Sequence, residues 1–261
     1  TTIVGLGNGR RFRTGDPSNW VVLAGQMDEN TAKWDHCLEY ASQTDVGLRR
    51  ANNQDSLAVV LASSEEKWRQ RGHLFIVADG MGAHAAGERA SKLATDVVPL
   101  TYFKLNDVSA PEALFRSVQD ANRQIHSRGR ASDDFRGMGT TISTLLLLPQ
   151  GAVTAHVGDS RTYRWRAGRL EQLTFDHSLV WELRAARQIP EGKVPSFVPK
   201  NVITRSLGPN PEVQVDLEGP FPVQVGDTFL LCSDGLSGPV EDAEIGTLLG
   251  CLAPNEAVRA L

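Results

Sequence analysis

Apolar residues follow two rhythms along this chain. Ser56 to Ala62 (SLAVVLA) and His73 to Ala78 (HLFIVA) are short, nearly unbroken apolar runs, the pattern of buried strands. The period then lengthens. Ala90, Leu93, Ala94, Val97 and Val98 recur at helical spacing and predict an amphipathic helix over about 84–103. Ser109 and Glu112 stand at capping-box spacing with Pro111 in the first turn, and Leu114, Val118, Ala121 and Ile125 continue as the stripe of a second helix. Strand signals return at Thr140 to Leu148, Ala152 to Val157, Thr162 to Trp165 and Leu170 to Leu173. Gly151 and Ala167-Gly168 sit at two of the turns, so the four runs read as an antiparallel meander.

A short helix is expected at 178–187 and a proline-bearing loop at 188–200. Strands are expected at 201–205, 212–218 and 226–232, and a helix near 241–250. The order is strands, two helices, strands, then helices. It is not a regular strand–helix alternation, which predicts an α+β fold with antiparallel sheets. Residues 1–35, rich in Gly, Arg, Asn and Asp, read as an N-terminal extension or linker ahead of a catalytic domain over 36–261. Pro254, Asn255 and Glu256 open a helix that has only about two turns before Leu261, so the domain is expected to be cut short at its C-terminus.

Composition narrows the function. With 41% hydrophobic and 22% charged residues in 261, the chain is an ordinary globular sequence. A net charge of −4 disfavours a general nucleic-acid binder. No apolar run approaches the roughly 20 residues of a membrane span, and the N-terminus lacks the apolar segment of a secretory signal. Cys37, Cys232 and Cys251 form neither a disulfide framework nor a zinc pattern and fit a reducing cytoplasm.

Four aspartates then stand out by position. Asp55 directly precedes an apolar run, and Asp79, Asp159 and Asp234 each follow one, with glycine beside all three. A single Asp-Gly is most simply a turn. Four acids at strand ends are harder to read so. Carboxylates held at the tips of buried strands would repel one another unless cations neutralise them. Such hard oxygen ligands suit Mg(II) or Mn(II) far better than zinc. Two such metals can acidify a shared water and clamp an in-line displacement at phosphorus, with an arginine gripping the phosphate oxygens. Arg50 is placed for that role, five residues before Asp55, and Arg49 competes with it.

Other motifs have plainer readings. His84 is a candidate general acid or a structural histidine at a helix start. Asp176-His177-Ser178 resembles part of a nucleophilic triad, but adjacent residues cannot adopt that geometry, so it reads as a helix N-terminal region. Gly137-Met138-Gly139-Thr140-Thr141 lacks the lysine of a phosphate-binding loop and reads as a turn into a strand.

At these residues the chain resembles the bacterial branch of the protein phosphatase 2C family. The motifs are VGLRRANNQD (46–55), VADGMGAHAAGERAS (77–91), GMGTTISTLLL (137–147), HVGDSRTYRWRAGRLEQLTFDHS (156–178), NVITRSLG (201–208) and LLCSDGLSGPVED (230–242), in the family's order. The resemblance implies a four-layer α-β-β-α sandwich with a binuclear Mn(II) or Mg(II) centre between two antiparallel sheets. By motif, Asp79 bridges both metals, the Gly80 carbonyl and Asp55 serve one of them, and Asp234 serves the other. Asp159 joins Asp234 at a weaker third site, and Arg50 binds the substrate phosphate. Residues 179–200 would form a flap beside the centre. The implied activity is hydrolysis of phosphoserine and phosphothreonine in proteins, in the cytoplasm, opposing a bacterial Ser/Thr kinase.

Three departures matter. Met81 stands where animal-type members carry histidine, Ala83 stands where glycine is usual, and the family's terminal Gly-x-Asp-Asn segment is missing. The last leaves open a phosphatase-like module that binds phosphoprotein without turnover. A different metal hydrolase such as a nuclease is the third class, disfavoured by the lack of a basic stripe.

Overall fold

The alternation of side chains along one strand builds two layers of core at once. In the computed structural model this strand, β4 (His73–Met81), sits inside a sheet. Its Leu74, Ile76 and Ala78 pack with apolar residues of α2 (Ala86–Lys104) and α3 (Ala110–Ala131), while Phe75 and Val77 pack with Phe229 and Leu231 of the opposite sheet. A strand covered on both faces must be apolar at every position, and HLFIVA is. The structure describes residues 2–7 (backbone only), 38–47, 52–82, 85–189, 194–195, 197–199 and 202–261.

The first sheet also holds β3 (Asp55–Val60), β6 (Ile142–Leu148), β7 (Gly151–Val157) and β10 (Asp216–Phe221), in the order β10-β7-β6-β4-β3. The two-residue β5 (Gly139–Thr140) pairs with the far end of β4. The second sheet runs β2-β1-β11-β8-β9, from β1 (Thr2–Gly7), β2 (Glu39–Thr44), β8 (Arg161–Arg166), β9 (Arg169–Gln172) and β11 (Thr228–Cys232). Every ladder is antiparallel.

Along β11, Leu230 and Cys232 turn outward onto Ile245 and Leu249 of α6 (Asp242–Cys251) and Ala257 and Val258 of α7 (Pro254–Ala260), and Phe229 and Leu231 turn inward. The layers are therefore helix, sheet, sheet, helix, as the resemblance implies. Among the described residues no helix is long and apolar enough to cross a membrane.

Some elements depart from the expected pattern. The strand expected at 201–205 is reduced to a single bridge, Ser178 with Ile203, because the backbone of Val202 and Thr204 is bonded to residues 177–179 at the base of α4 (Leu179–Ala185). The strand expected at 212–218 lies later, at Asp216–Phe221. Helix α1 (Glu65–Arg71) was not foreseen, since Trp68 is the one large apolar residue on it. Its signals are electrostatic: a Ser64 cap, Glu65 and Glu66 in the first turn, Arg69 and Arg71 in the last. Residues 2–7 supply a central strand although they carry no alternation of polar and apolar positions.

The inter-sheet layer is the testable part of this architecture. Leu231→Ala removes a fully buried side chain from it. The expected loss is about 2–5 kcal/mol of unfolding free energy, read by urea titration in the presence of chelator.

Candidate metal centre

The inward faces of β3 and β4 change character at one end. Asp79 shares the face of Phe75 and Val77, and Asp55 that of Leu57 and Val59, so both carboxylates stand where the apolar inter-sheet layer stops. They are also direct partners across the ladder. The Gly80 N–H donates to the Gln54 carbonyl at 3.0 Å, which makes Asp55 and Asp79 a non-hydrogen-bonded pair. In such pairs the Cα atoms lie about 4.5 Å apart and the side chains are at their closest. Like charges directly opposite are destabilising, so this geometry asks for a cation.

The local sequence holds Asp79 by its backbone. Its N–H donates to Thr141 Oγ1 at 2.9 Å, and its carbonyl accepts from the Thr141 N–H and the Thr140 hydroxyl, each at 2.9 Å. Gly80 faces the other way, against the start of α2. A Cβ there would lie 2.0 Å from the Gly87 carbonyl oxygen, so no larger residue fits without moving the helix.

Asp159 follows β7 after Gly158, whose φ of +114° turns the chain. A Cβ on Gly158 would meet Thr141 at 2.6 Å. Ser160 bonds Thr141 at 2.6 Å between hydroxyls, tying this turn to the residue that fixes Asp79. His177 clamps the turn from the other side: its N–H donates to the Gly158 carbonyl at 2.7 Å, and its Nδ1 accepts from the Gly158 N–H at 3.0 Å. Its Nε2–H in turn donates to Asp216 at 2.8 Å. Burial, then the negative charges of Asp234 and Asp176, push the Asp159 carboxyl up to about 7.

Asp234 opens the one-turn α5 (Asp234–Ser237) after β11. The preceding Ser233 is fully buried and donates to Asp55 Oδ2 at 2.7 Å, crossing from one sheet to the other. Arg161 grips Asp176 with Nε and Nη2, the closest contact being 2.6 Å, and so stiffens the floor beside Asp159.

The chain thus brings together Asp55 with Asp79, and Asp159 with Asp234, and links the two groups through Ser233. Among the described residues, no three His, Cys, Asp or Glu side chains stand close enough to hold a metal ion as they are. Arg50, its competitor Arg49, Ala83 and His84 lie outside the described residues. Asp176-His177-Ser178 is a helix entrance, with Ser178 capping α4. The positioning roles of Thr141, Ser160, His177 and Ser233 are not among the expectations from sequence, which read Thr141 only as part of a turn and His177 only as part of a helix entrance. All four are hydroxyl or imidazole groups next to strand-end acids or across from them, and that adjacency was the available signal.

The sequence profile of the protein phosphatase 2C family matches residues 48–255. The chain belongs to the protein phosphatase 2C family. The protein phosphatase PhpP of Streptococcus pneumoniae is 38% identical over 213 residues, covering 80% of this chain and 82% of PhpP. The S. agalactiae serine/threonine phosphatase superposes with a TM-score of 0.74 at 35% identity, covering 84% of this chain and 88% of that one. The catalytic domain of the serine/threonine phosphatase PstP, solved with two manganese ions, superposes with a TM-score of 0.69 at 32% identity, covering 84% and 87%.

For a protein phosphatase 2C the donor set is chemically apt. The four acids offer hard oxygens suited to Mn(II) or Mg(II), and no cysteine lies among them. The raised Asp159 carboxyl gives a test. Its ordinary value is 3.8, so the folded protein favours the neutral form, and ionising it destabilises the fold as pH rises from about 4 to about 7. In chelator at pH 8, Asp159→Asn is expected to exceed the wild type in stability by on the order of 3 kcal/mol. The gap should close as pH falls to about 4. Thermal unfolding across that range reads it, and equal melting curves at pH 8 would contradict the burial of an ionised Asp159.

Proposed function

We propose that this protein phosphatase 2C removes phosphate from serine and threonine of phosphoproteins at the end of the inter-sheet gap, with Asp55, Asp79, the Gly80 carbonyl, Asp159 and Asp234 as metal ligands. The observation that carries the reading is the Asp55–Asp79 pair, opposed across one sheet and bonded through Ser233 to the other. Mn(II) or Mg(II) bound there supplies Lewis-acid charge, which brings a water toward ionisation at neutral pH and draws a phosphate dianion to an acidic gap.

The chain's own groups do the rest. Ser233 fixes the rotamer of Asp55. Thr140 and Thr141 fix the backbone of Asp79, and the Gly80–Gly87 contact sets the height of α2 beside it. Arg50 grips two phosphate oxygens of the substrate and orients the ester. Met81 cannot donate a proton, so the leaving alkoxide takes one from solvent or from another acid. Asp159 with Asp234 forms the weaker third cation site.

The proposed partners are phosphoprotein substrates and an opposing bacterial Ser/Thr kinase. The cytoplasm is the proposed compartment, from three cysteines scattered in the sequence without the pattern of a disulfide framework. Residues 36–261 are the proposed catalytic domain and 1–35 the proposed extension, with residues 2–7 lending it a strand.

The test is Mn(II)-dependent phosphate release from a phosphothreonine peptide. Asp79→Asn is isosteric and leaves the main-chain bonds to Thr140 and Thr141 in place, and it is expected to reduce release to the level seen without metal. Wild-type turnover by that variant, or turnover in full chelation, would overturn the assignment.

A further inference from the structure

We propose that the turn between α3 and β5 forms a second anion-binding subsite, which receives a carboxylate or second phosphate on the same polypeptide as the phosphoresidue. This rests on the phosphatase reading above and extends it to substrate choice.

Arg128 and Arg130 end α3, Arg136 follows the short Asp133–Phe135 turn, and Arg89 stands in the first turn of α2; all four are exposed. Phe135 gathers two of them. The guanidinium carbons of Arg89 and Arg128 lie 5.1 and 5.5 Å from its ring centre. Each contact is favourable, and together they gather two exposed guanidinium groups around one ring at this turn. The same turn carries a cavity of about 250 Å³ whose lining includes Gly129, next to Arg128 in the chain, with His126, Arg130, Ser132, Asp133 and Arg136. The guanidinium groups of Arg130 and Arg136 are its cationic donors; His126 already gives its Nδ1–H to the Gly208 carbonyl at 2.8 Å, and Asp133 is an acceptor.

The counter-charges do not close it. Asp133 reaches Arg136 at 2.9 Å, yet those side chains are 89% and 83% exposed, so the bond exchanges readily with solvent or a ligand. Asp134 and Glu88 are exposed neighbours. Together they keep the patch from being an indiscriminate polyanion sink and leave the guanidinium forks to select by geometry.

Position connects the subsite to the reaction. The cavity wall includes Gly137 and Met138, and the next residue, Gly139, pairs with Met81, one step beyond Gly80. At about 3.3 Å per strand residue the subsite begins roughly 7–10 Å from Gly80. An extended peptide spans that distance in about two to four residues. The ligand is therefore an Asp, Glu or phosphorylated residue at that separation from the scissile phosphothreonine.

The experiment uses the full chain with Mn(II) and four probes: p-nitrophenyl phosphate, and phosphothreonine peptides with neutral flanks, with aspartates two to four residues away, or with a second phosphoserine there. Acidic or doubly phosphorylated peptides are expected to gain about tenfold in kcat/KM over the neutral peptide, the size of one good charge-assisted hydrogen bond. A gain for aspartate assigns the site to acidic side chains, and a gain for phosphoserine alone assigns it to phosphate. The double variant Arg130→Ala/Arg136→Ala, and separately Arg128→Ala, should abolish the gain while leaving p-nitrophenyl phosphate turnover unchanged, with only the small fall in melting temperature that losing the Phe135 contact brings for Arg128→Ala. Normal p-nitrophenyl phosphate turnover with no flank preference, or a preference that survives both variants, overturns the subsite alone. No turnover of any probe overturns the phosphatase reading instead.

Discussion

Two carboxylates face each other across neighbouring strands at the point where a hydrocarbon layer ends, and the rest of this molecule is arranged to keep them there. Repulsion between Asp55 and Asp79 works against the ladder that pairs them. The ladder holds because the same strands bury Phe75, Val77 and the inward face of the second sheet a few residues away. Burial on both faces of β4 stabilises a position that the acids alone would abandon.

The surrounding polar groups make that position stiff. Thr141 is the hub: it bonds the Asp79 backbone from one side and Ser160, next to Asp159, from the other. Ser233 closes the circuit between sheets. These are short hydroxyl bonds among buried groups, and in a low-dielectric setting each one is worth most when all of them are made. The glycines serve the same end, because Gly80 and Gly158 are where backbone must approach backbone or side chain too closely for a Cβ. Metal chemistry needs ligands whose placement is set in advance, and for the proposed ligand Asp79 the chain would supply that through hydrogen bonds to its main chain.

Much of this was readable from residue order. HLFIVA followed by Asp-Gly announced a buried strand ending in an acid, and Gly151 and Ala167-Gly168 announced the hairpins β6–β7 and β8–β9; the single meander expected over 140–173 is instead split, because β7 and β8 belong to different sheets. The helical stripes over α2 and α3 were legible because their apolar periods are clean. Four things were not. Helix α1 depends on caps and charges rather than on a stripe, and β1 owes its place to partners far along the chain. The parity argument that points Asp55 and Asp79 into one gap needs the ladder register, which spacing alone does not fix. The role of His177 was hidden for the same reason: a residue beside Asp176 clamps Gly158, which lies 19 positions away.

The account stands on cations gathering the acids of two sheets at one end of the gap. Anomalous diffraction at the manganese edge, from crystals of this chain grown with Mn(II), tests it most directly. It predicts manganese peaks within about 2.0–2.6 Å of carboxylate oxygens of Asp55, Asp79 and Asp234. Peaks confined to other surfaces, with these three carboxylates free of metal, would contradict it.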